Sequence, residues 1–256
     1  MLKEELILYT DLLGVKSAFV VKDFSTGKTV SFNEGLVVPS ASLIKVPVMI
    51  EAFRQIRSGV LSPDQRLSIK SEEVVPFSVL EFLDCVNSYT LLDLIRLMIV
   101  YSDNTAANIL MELVGMDNVN ACIRDLGLKE TKLQRKMMDS ESRKAGKENY
   151  TTAGEMADIM IRLYQGEILD KESSEQMLAI MKGQGDECMM RVDLPDEMVI
   201  ARKSGELENL NHEIAIVYGN QGDYLYVFFV WDARSNNDSR QILQRTSKIV
   251  YDYFDR

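Results

Sequence analysis

Hydrophobic and polar positions divide the chain into three zones. At the N-terminus, "MLKEELILYTDLLG" puts Leu2, Leu6, Tyr9 and Leu13 on one side of a helical wheel, which predicts an amphipathic helix. "SAFVVKDFSTGKTVSFNEG" then carries two β-rich runs around "STGK", the pattern of a hairpin over residues 17–33. Helical periodicity takes over for about half of the chain, at 43–58, 91–101, 105–114, 118–126, 152–165 and 171–182. Strand patterns return at 198–203, 212–218 and 224–231. A last helix over 238–254 spaces Ile242, Ile249, Val250 and Tyr253 for one face.

Strands therefore sit at both ends of the chain and helices fill its middle. Antiparallel strands from the two ends can join in one sheet, with the terminal helices covering a face. This predicts an α/β sandwich with a discontinuous sheet lobe, 1–36 and 184–256, and a mainly helical lobe, 37–183. The cleft between them is the natural place for a site.

Composition narrows the partners. With 256 residues, 46% of them hydrophobic, the chain can bury a sizeable core. Its net charge of −10 repels phosphate backbones and anionic membranes, so no nucleic acid is expected. The longest apolar run, "YLYVFFVW", is too short to span a bilayer and reads as a buried strand. The N-terminus has acids where a leader would have bases, so the chain as given is expected to be cytoplasmic, or exported if a leader has been removed. Cys85, Cys122 and Cys188 are odd in number and far apart, which suits free buried thiols and lacks metal-ligand spacing. No metal and no organic cofactor are expected, and a monomer is. His212 is the single histidine, so a Ser-His-Asp triad would have to use it.

Three short motifs bear chemistry. In "PSASLIKVPVMIEAF", Ser42 and Lys45 lie three residues apart at a helix start. A lysine made neutral by burial can take a serine proton, and a helix start offers N–H groups to an oxyanion. The plain alternative is a capping serine with a snorkelling lysine. In "YSDNTAANIL", Ser102 can relay a proton and Asn104 can hold a substrate amide with both ends of its side chain, although a Ser-Asp-Asn helix junction is also an ordinary cap. In "ARKSGELENLNHEIAIV", Lys203, Ser204 and Gly205 end a strand pattern. A cation and a hydroxyl there suit an anionic group, and the glycine suits close approach of a substrate.

The order S-x-x-K, S-D-N, K-S-G resembles the class A β-lactamases and penicillin-binding proteins, the former most closely. Sixty residues separate Ser42 from Ser102, as is usual for that branch, and "NYTTAGEMADIMIRLYQG" is similar to its segment after the loop bordering the site. The resemblance covers nearly the whole chain. It implies the β-lactamase/transpeptidase-like fold and a serine hydrolase working through an acyl-Ser42 intermediate. In it Lys45 activates Ser42, Ser102 passes a proton to the leaving nitrogen, and Asn104 contacts the substrate amide. Lys203 and Ser204 anchor a carboxylate, and the N–H groups of Ser42 and Glu206 form the oxyanion hole. Phe77 matches an aromatic gatekeeper at the rim; a packed core Phe is the alternative. Glu206 is expected to point outward or to alter substrate choice. His212 lies near a further cationic contact of the branch, but a lone strand histidine reads as structural.

One departure matters. The branch's loop glutamate falls on Met137, its asparagine on Glu141, and the aspartate partner of Arg135 falls on Asn149. Methionine has no proton chemistry. Three outcomes stay open: Glu141 serves as the base, Lys45 serves both steps, or deacylation is slow. Asp139 reads as a solvated loop acid. The expected substrates are small molecules: a β-lactam, an acyl-D-Ala-D-Ala-like peptide or an ester. The rivals to a β-lactamase are a D-Ala-D-Ala carboxypeptidase or esterase, and a penicillin sensor that acylates and stops.

Overall fold

The structure, a computed structural model, describes residues 1–83, 88–185 and 189–254. In chain order its elements are α1 (Leu2–Leu13), β1 (Lys16–Asp23), β2 (Thr29–Phe32), β3 (Val38–Pro39), a 3-10 turn (Ala41–Ile44) and α2 (Lys45–Arg57). Next come β4 (Arg66–Ser68), β5 (Ser88–Thr90), α3 (Leu91–Val100), α4 (Asn104–Val114), α5 (Met116–Asp125), α6 (Ser140–Lys144) and β6 (Tyr150–Thr151). The chain closes with α7 (Ala153–Gln165), α8 (Lys171–Lys182), β7 (Val199–Leu207), β8 (Leu210–Tyr218), β9 (Tyr224–Trp231) and α9 (Asn236–Phe254).

The five-stranded sheet has the order β2-β1-β9-β8-β7, all antiparallel. Strands from both chain ends meet where β1 pairs with β9. Side chains alternate between two cores. Val20, Ile214, Ile216, Val227 and Phe229 face the helices α2–α5, α7 and α8. Phe19, Val21, Val217, Tyr226 and Phe228 face α1 and α9. Because both faces are covered, β9 is apolar along almost its whole length rather than alternating.

Helix starts follow their caps. Thr90 and Asp93 form a capping box on α3, and Asp103, Thr152 and Asp170 each accept a backbone N–H at the start of α4, α7 and α8. Two faces differ from the expected ones. On α1 the buried side runs Leu2, Leu6, Thr10, and Leu13 is exposed. Thr10 is buried beside Leu6 and accepts a hydrogen bond from Ser17 Oγ on β1, so this edge of the helix faces the sheet, while Leu13 stands at the helix's last position. On α9 Ile242, Ile249 and Val250 are buried as expected, but Tyr253 is exposed in the last turn. Cys122 is a buried free thiol, pushed up to about 12 by burial. Cys85 and Cys188 lie outside the described residues.

The helix expected over 43–58 begins differently. Ala41–Ile44 is a 3-10 turn, and the α-helix starts at Lys45. Pro47 sits in the first turn of α2, where a missing N–H costs nothing. The strand expected to end at Lys203 instead continues through the K-S-G motif to Leu207. It pairs with β8 along its full length and returns through a tight turn at Glu208–Asn209, with Asn209 at φ 57°.

Candidate active site

The 3-10 turn decides how Ser42 and Lys45 meet. Side chains three residues apart eclipse in that geometry, so the two lie in line, with Lys45 Nζ 3.2 Å from Ser42 Oγ. Ala41, just before Ser42, has φ 48°, unusual for a residue with a Cβ. Lys45 is fully buried, and its amine touches four oxygens. It reaches the Ser102 carbonyl, Asn104 Oδ1 at 2.8 Å, Ser102 Oγ at 3.2 Å and Ser42 Oγ at 3.2 Å. Burial, helped by the nearby Lys203 ammonium and opposed by the Asp103 carboxylate, holds the Lys45 pKa well below that of a free lysine.

A neutral amine has two N–H donors and one lone pair. Two of the four oxygens, the Ser102 carbonyl and Asn104 Oδ1, can only accept. When the amine is neutral, these two can take both N–H groups and leave its lone pair for a hydroxyl proton. Ser42 and Ser102 offer hydroxyls at equal distance on either side. Lys203 Nζ lies 3.0 Å from Ser102 Oγ, so Ser102 bridges the two lysines. This arrangement can move a proton from one hydroxyl to the other.

Asn104 uses both ends of its side chain within the protein: Oδ1 on Lys45, and Nδ2 donating to the Pro76 carbonyl at 3.0 Å. Asp103 beside it is fully buried and accepts from Ser78 Oγ and from the N–H groups of Val79 and Ala106. That ties the loop carrying Phe77 to the start of α4. Gly205 lies where β7 crosses the 3-10 turn. A Cβ there would stand 3.1 Å from Ala41 Cβ and 3.3 Å from the Ser40 carbonyl, so the glycine admits the nucleophile's own turn rather than a substrate on that face. Ser204 Oγ accepts from Gln184 Nε2 at 2.7 Å.

A cleft of about 520 Å3 opens over these groups, lined by Ser42, Ser102, Asn104, Ser204, Phe77 and Met137 among others. Phe77 is 78% exposed at its rim, so the packed-core alternative does not hold. Glu206 also lines it, but its carboxylate is held outward by Arg240 and by Asn236 Nδ2 at 2.9 Å. Met137 is buried, its backbone gripped at both ends by the Asn108 side chain. Glu141 is not brought to the cleft: on α6 its side chain is 81% exposed and paired with Lys144 at 2.8 Å. The partner of Arg135 is Glu148, at 2.6 Å. Asn149, expected in that place, instead bonds the backbone of Gln134 and Arg135. His212 is fully buried, its ring nitrogens facing the carbonyls of Pro39 and Asn211.

Gln184, Asn108 and Glu148 were not singled out from the sequence. Asn108 had a signal, a polar residue four after Asn104 on a buried helix face. Glu148 had one in being an acid next to Asn149. Gln184 had none. Among the described residues, no cluster of three or more His, Cys, Asp or Glu side chains could hold a metal, and no helix is long and apolar enough to cross a membrane.

The profile of the Beta-lactamase enzyme family matches residues 5–254. A beta-lactamase of Rhodobacter capsulatus is 25% identical over 243 residues, 93% of this chain and 83% of that protein. Beta-lactamase CTX-M-97 of Escherichia coli is 26% identical over 215 residues, 82% of this chain and 74% of that protein. The crystal structure of a beta-lactamase from Sphaerobacter thermophilus superposes with a TM-score of 0.90 at 24% identity, covering 98% of this chain and 96% of that one.

Proposed function

The chain belongs to the beta-lactamase enzyme family and is a serine β-lactamase-like hydrolase; from that premise we propose that it works through an acyl-Ser42 intermediate with Lys45 as the base of both steps. The observation that carries this reading is the Lys45 amine, fully buried, bonded to the Ser102 carbonyl and Asn104 Oδ1 and 3.2 Å from both the Ser42 and Ser102 hydroxyls, with its pKa lowered well below that of a free lysine by burial. As Ser42 Oγ attacks the carbonyl carbon, its proton passes to Lys45 Nζ. The N–H groups of Ser42 and Glu206 bind the oxyanion. When the C–N bond breaks, the proton moves from Lys45 through Ser102 Oγ to the leaving nitrogen. Lys203 and Ser204 anchor the substrate's carboxylate, and Asn104 and Phe77 contact its acyl side. The two segments 1–36 and 184–256 act with 37–183 as one functional unit around the cleft.

Deacylation needs water to attack the ester and a base to take its proton. Met137 supplies no base, and Glu141 lies exposed beside Lys144. Lys45 then serves alone and returns the proton to Ser42. Losing a dedicated general base costs about 10²–10⁴ in rate, so the penicillin acyl-enzyme is long-lived. The same departure favours a second reading, an esterase or D-Ala-D-Ala carboxypeptidase on this scaffold, because an acyl group smaller than an opened penicillin leaves room for water over Met137.

The test is intact-protein mass over time with excess benzylpenicillin, beside steady-state hydrolysis and a Ser42→Ala control. A lasting adduct that needs Ser42 is the expected result. Fast turnover with no adduct would show an efficient deacylation base and overturn Lys45 as the sole one. A panel of penicillins, D-Ala-D-Ala peptides and esters ranks the substrates.

A further inference from the structure

Lys203 and Ser204 divide the work of holding an anion. Lys203 is fully buried, and its Nζ donates to the Ser204 carbonyl at 2.6 Å and to Ser102 Oγ at 3.0 Å. An ammonium held that deep attracts a carboxylate as a point charge and does little to orient it. Ser204 lines the cleft, and its hydroxyl donates along one direction only. A hydroxyl that turned its lone pairs to the cleft would repel a carboxylate there, so the direction of one proton matters.

That direction is set from behind the strand. Gln184, just past the end of α8, donates from Nε2 to Ser204 Oγ at 2.7 Å. A hydroxyl that accepts on one side sends its own proton elsewhere. At the other end of the amide, Gln184 Oε1 is buried and has no hydrogen-bond partner among the described residues. A buried acceptor without a donor destabilises a fold, so the amide keeps this position at a cost. Turned round, it would pair Oε1 with the hydroxyl, but it would take the Ser204 proton and bury two N–H donors in the same unpaired place.

The backbone fixes the reach of the side chain. The Gln184 N–H donates to the Met181 carbonyl at 3.3 Å, and the Gly185 N–H to the Val100 carbonyl at 3.2 Å. This short segment clips the end of α8 to the end of α3, next to the turn that carries Ser102, and sends one side chain across to β7. A neutral side chain is also what the place requires. A carboxylate there would draw the Ser204 proton to itself and repel an incoming anion.

We propose that Gln184 is a positioning residue for the substrate's carboxylate: by donating to Ser204 Oγ it turns the Ser204 proton toward the anion, and so favours substrates that carry a carboxylate over neutral ones. This deepens the function proposed above and rests on its acyl-Ser42 intermediate and on Ser204 as the carboxylate anchor. Gln184 touches no substrate atom and acts only through Ser204.

The test compares acylation of Ser42 by benzylpenicillin, which carries a carboxylate, with acylation by p-nitrophenyl acetate, which does not. Intact mass and the burst of p-nitrophenolate give the two second-order rates, and their ratio is the quantity read. Gln184→Met keeps the length of the side chain and removes the donor; it is expected to lower the penicillin-to-ester ratio about tenfold. Gln184→Glu keeps the shape and reverses the bond, and is expected to lower the ratio further. Ser204→Ala lowers it as well, and Gln184→Met added to Ser204→Ala is expected to change nothing more. A ratio that stays put in both Gln184 variants while Ser204→Ala lowers it, including a loss of both rates together, shows a packing role; it overturns the inference and leaves the carboxylate anchor standing. A fall that Gln184→Met still produces beside Ser204→Ala does not run through Ser204 and overturns the inference too. A ratio indifferent to Ser204→Ala overturns the anchor and the inference with it. Failure of both probes to label Ser42 overturns the acyl-Ser42 reading and everything built on it.

Discussion

His212 shows how burial sets the chemistry of a single side chain. Its ring stacks on Phe229 with centroids 4.2 Å apart, and its nitrogens lie 2.9 and 3.0 Å from two backbone carbonyls. Burial lowers its pKa to about 4, although both carbonyls pull the other way. The folded state therefore excludes a proton that the unfolded chain binds from its ordinary value of 6.5 downward. The sign follows: this contribution to stability is complete above pH 6.5 and is lost as pH falls toward 4, by on the order of 3 kcal/mol. His212→Asn should flatten that part of the curve relative to the wild type, read as urea midpoints across the window. Met137 makes the second prediction at this scale. A Met137→Glu variant returns a carboxylate to the cleft floor, and the lifetime of the penicillin adduct should fall about 10²-fold or more by intact mass. The residues that meet at the cleft were legible because short motifs carry them: Ser42 with Lys45, Ser102 with Asn104, Lys203 with Ser204. Glu141 was not, because loop spacing places a residue in sequence and does not say which way a five-residue helix turns it.

Among the elements, the junction before α4 matters most. Asp103 caps that helix, which its sequence announces, and it also reaches back 25 residues to Ser78, which its sequence does not. A carboxylate surrounded by donors and fully buried leaves no tolerance for a neutral amide, whose NH2 would face them. Asp103→Asn should therefore lower unfolding stability by about 3 kcal/mol, measured by urea denaturation, and loosen the Phe77 loop at the same time. The 3-10 turn at Ala41–Ile44 was hidden for a different reason. Four residues are too few to show a period of their own, and Gly205, which leaves room for the turn beside β7, lies far along the chain. The extension of β7 through the K-S-G motif was missed because its ladder is supplied by β8, a partner that no local pattern reveals.

For the whole molecule, the arrangement of strands at both ends around a helical middle could be read from periodicity alone, and the sheet order confirms it. Net charge acts at this scale too. At −10 the molecule repels an anionic substrate before any local contact forms. Raising ionic strength from about 10 mM to about 200 mM shortens the Debye length from roughly 30 Å to under 10 Å, so acylation by a penicillin carboxylate should speed up roughly twofold or more. Acylation by a neutral ester should not change, and stopped-flow traces of both at matched pH separate the effect from chemistry.

The pairing of β1 with β9 also has a cost in time. Lys16 stands opposite Trp231, so the first strand leaves the ribosome almost a full chain length before its neighbour exists. At roughly 5–20 residues per second that delay is about 10–40 s, during which an apolar hairpin waits with an open edge. The serine and its lysine are synthesised early in that interval, yet they meet Lys203 only when the last strands arrive. A nascent chain thus carries its nucleophile for most of its synthesis without the means to use it.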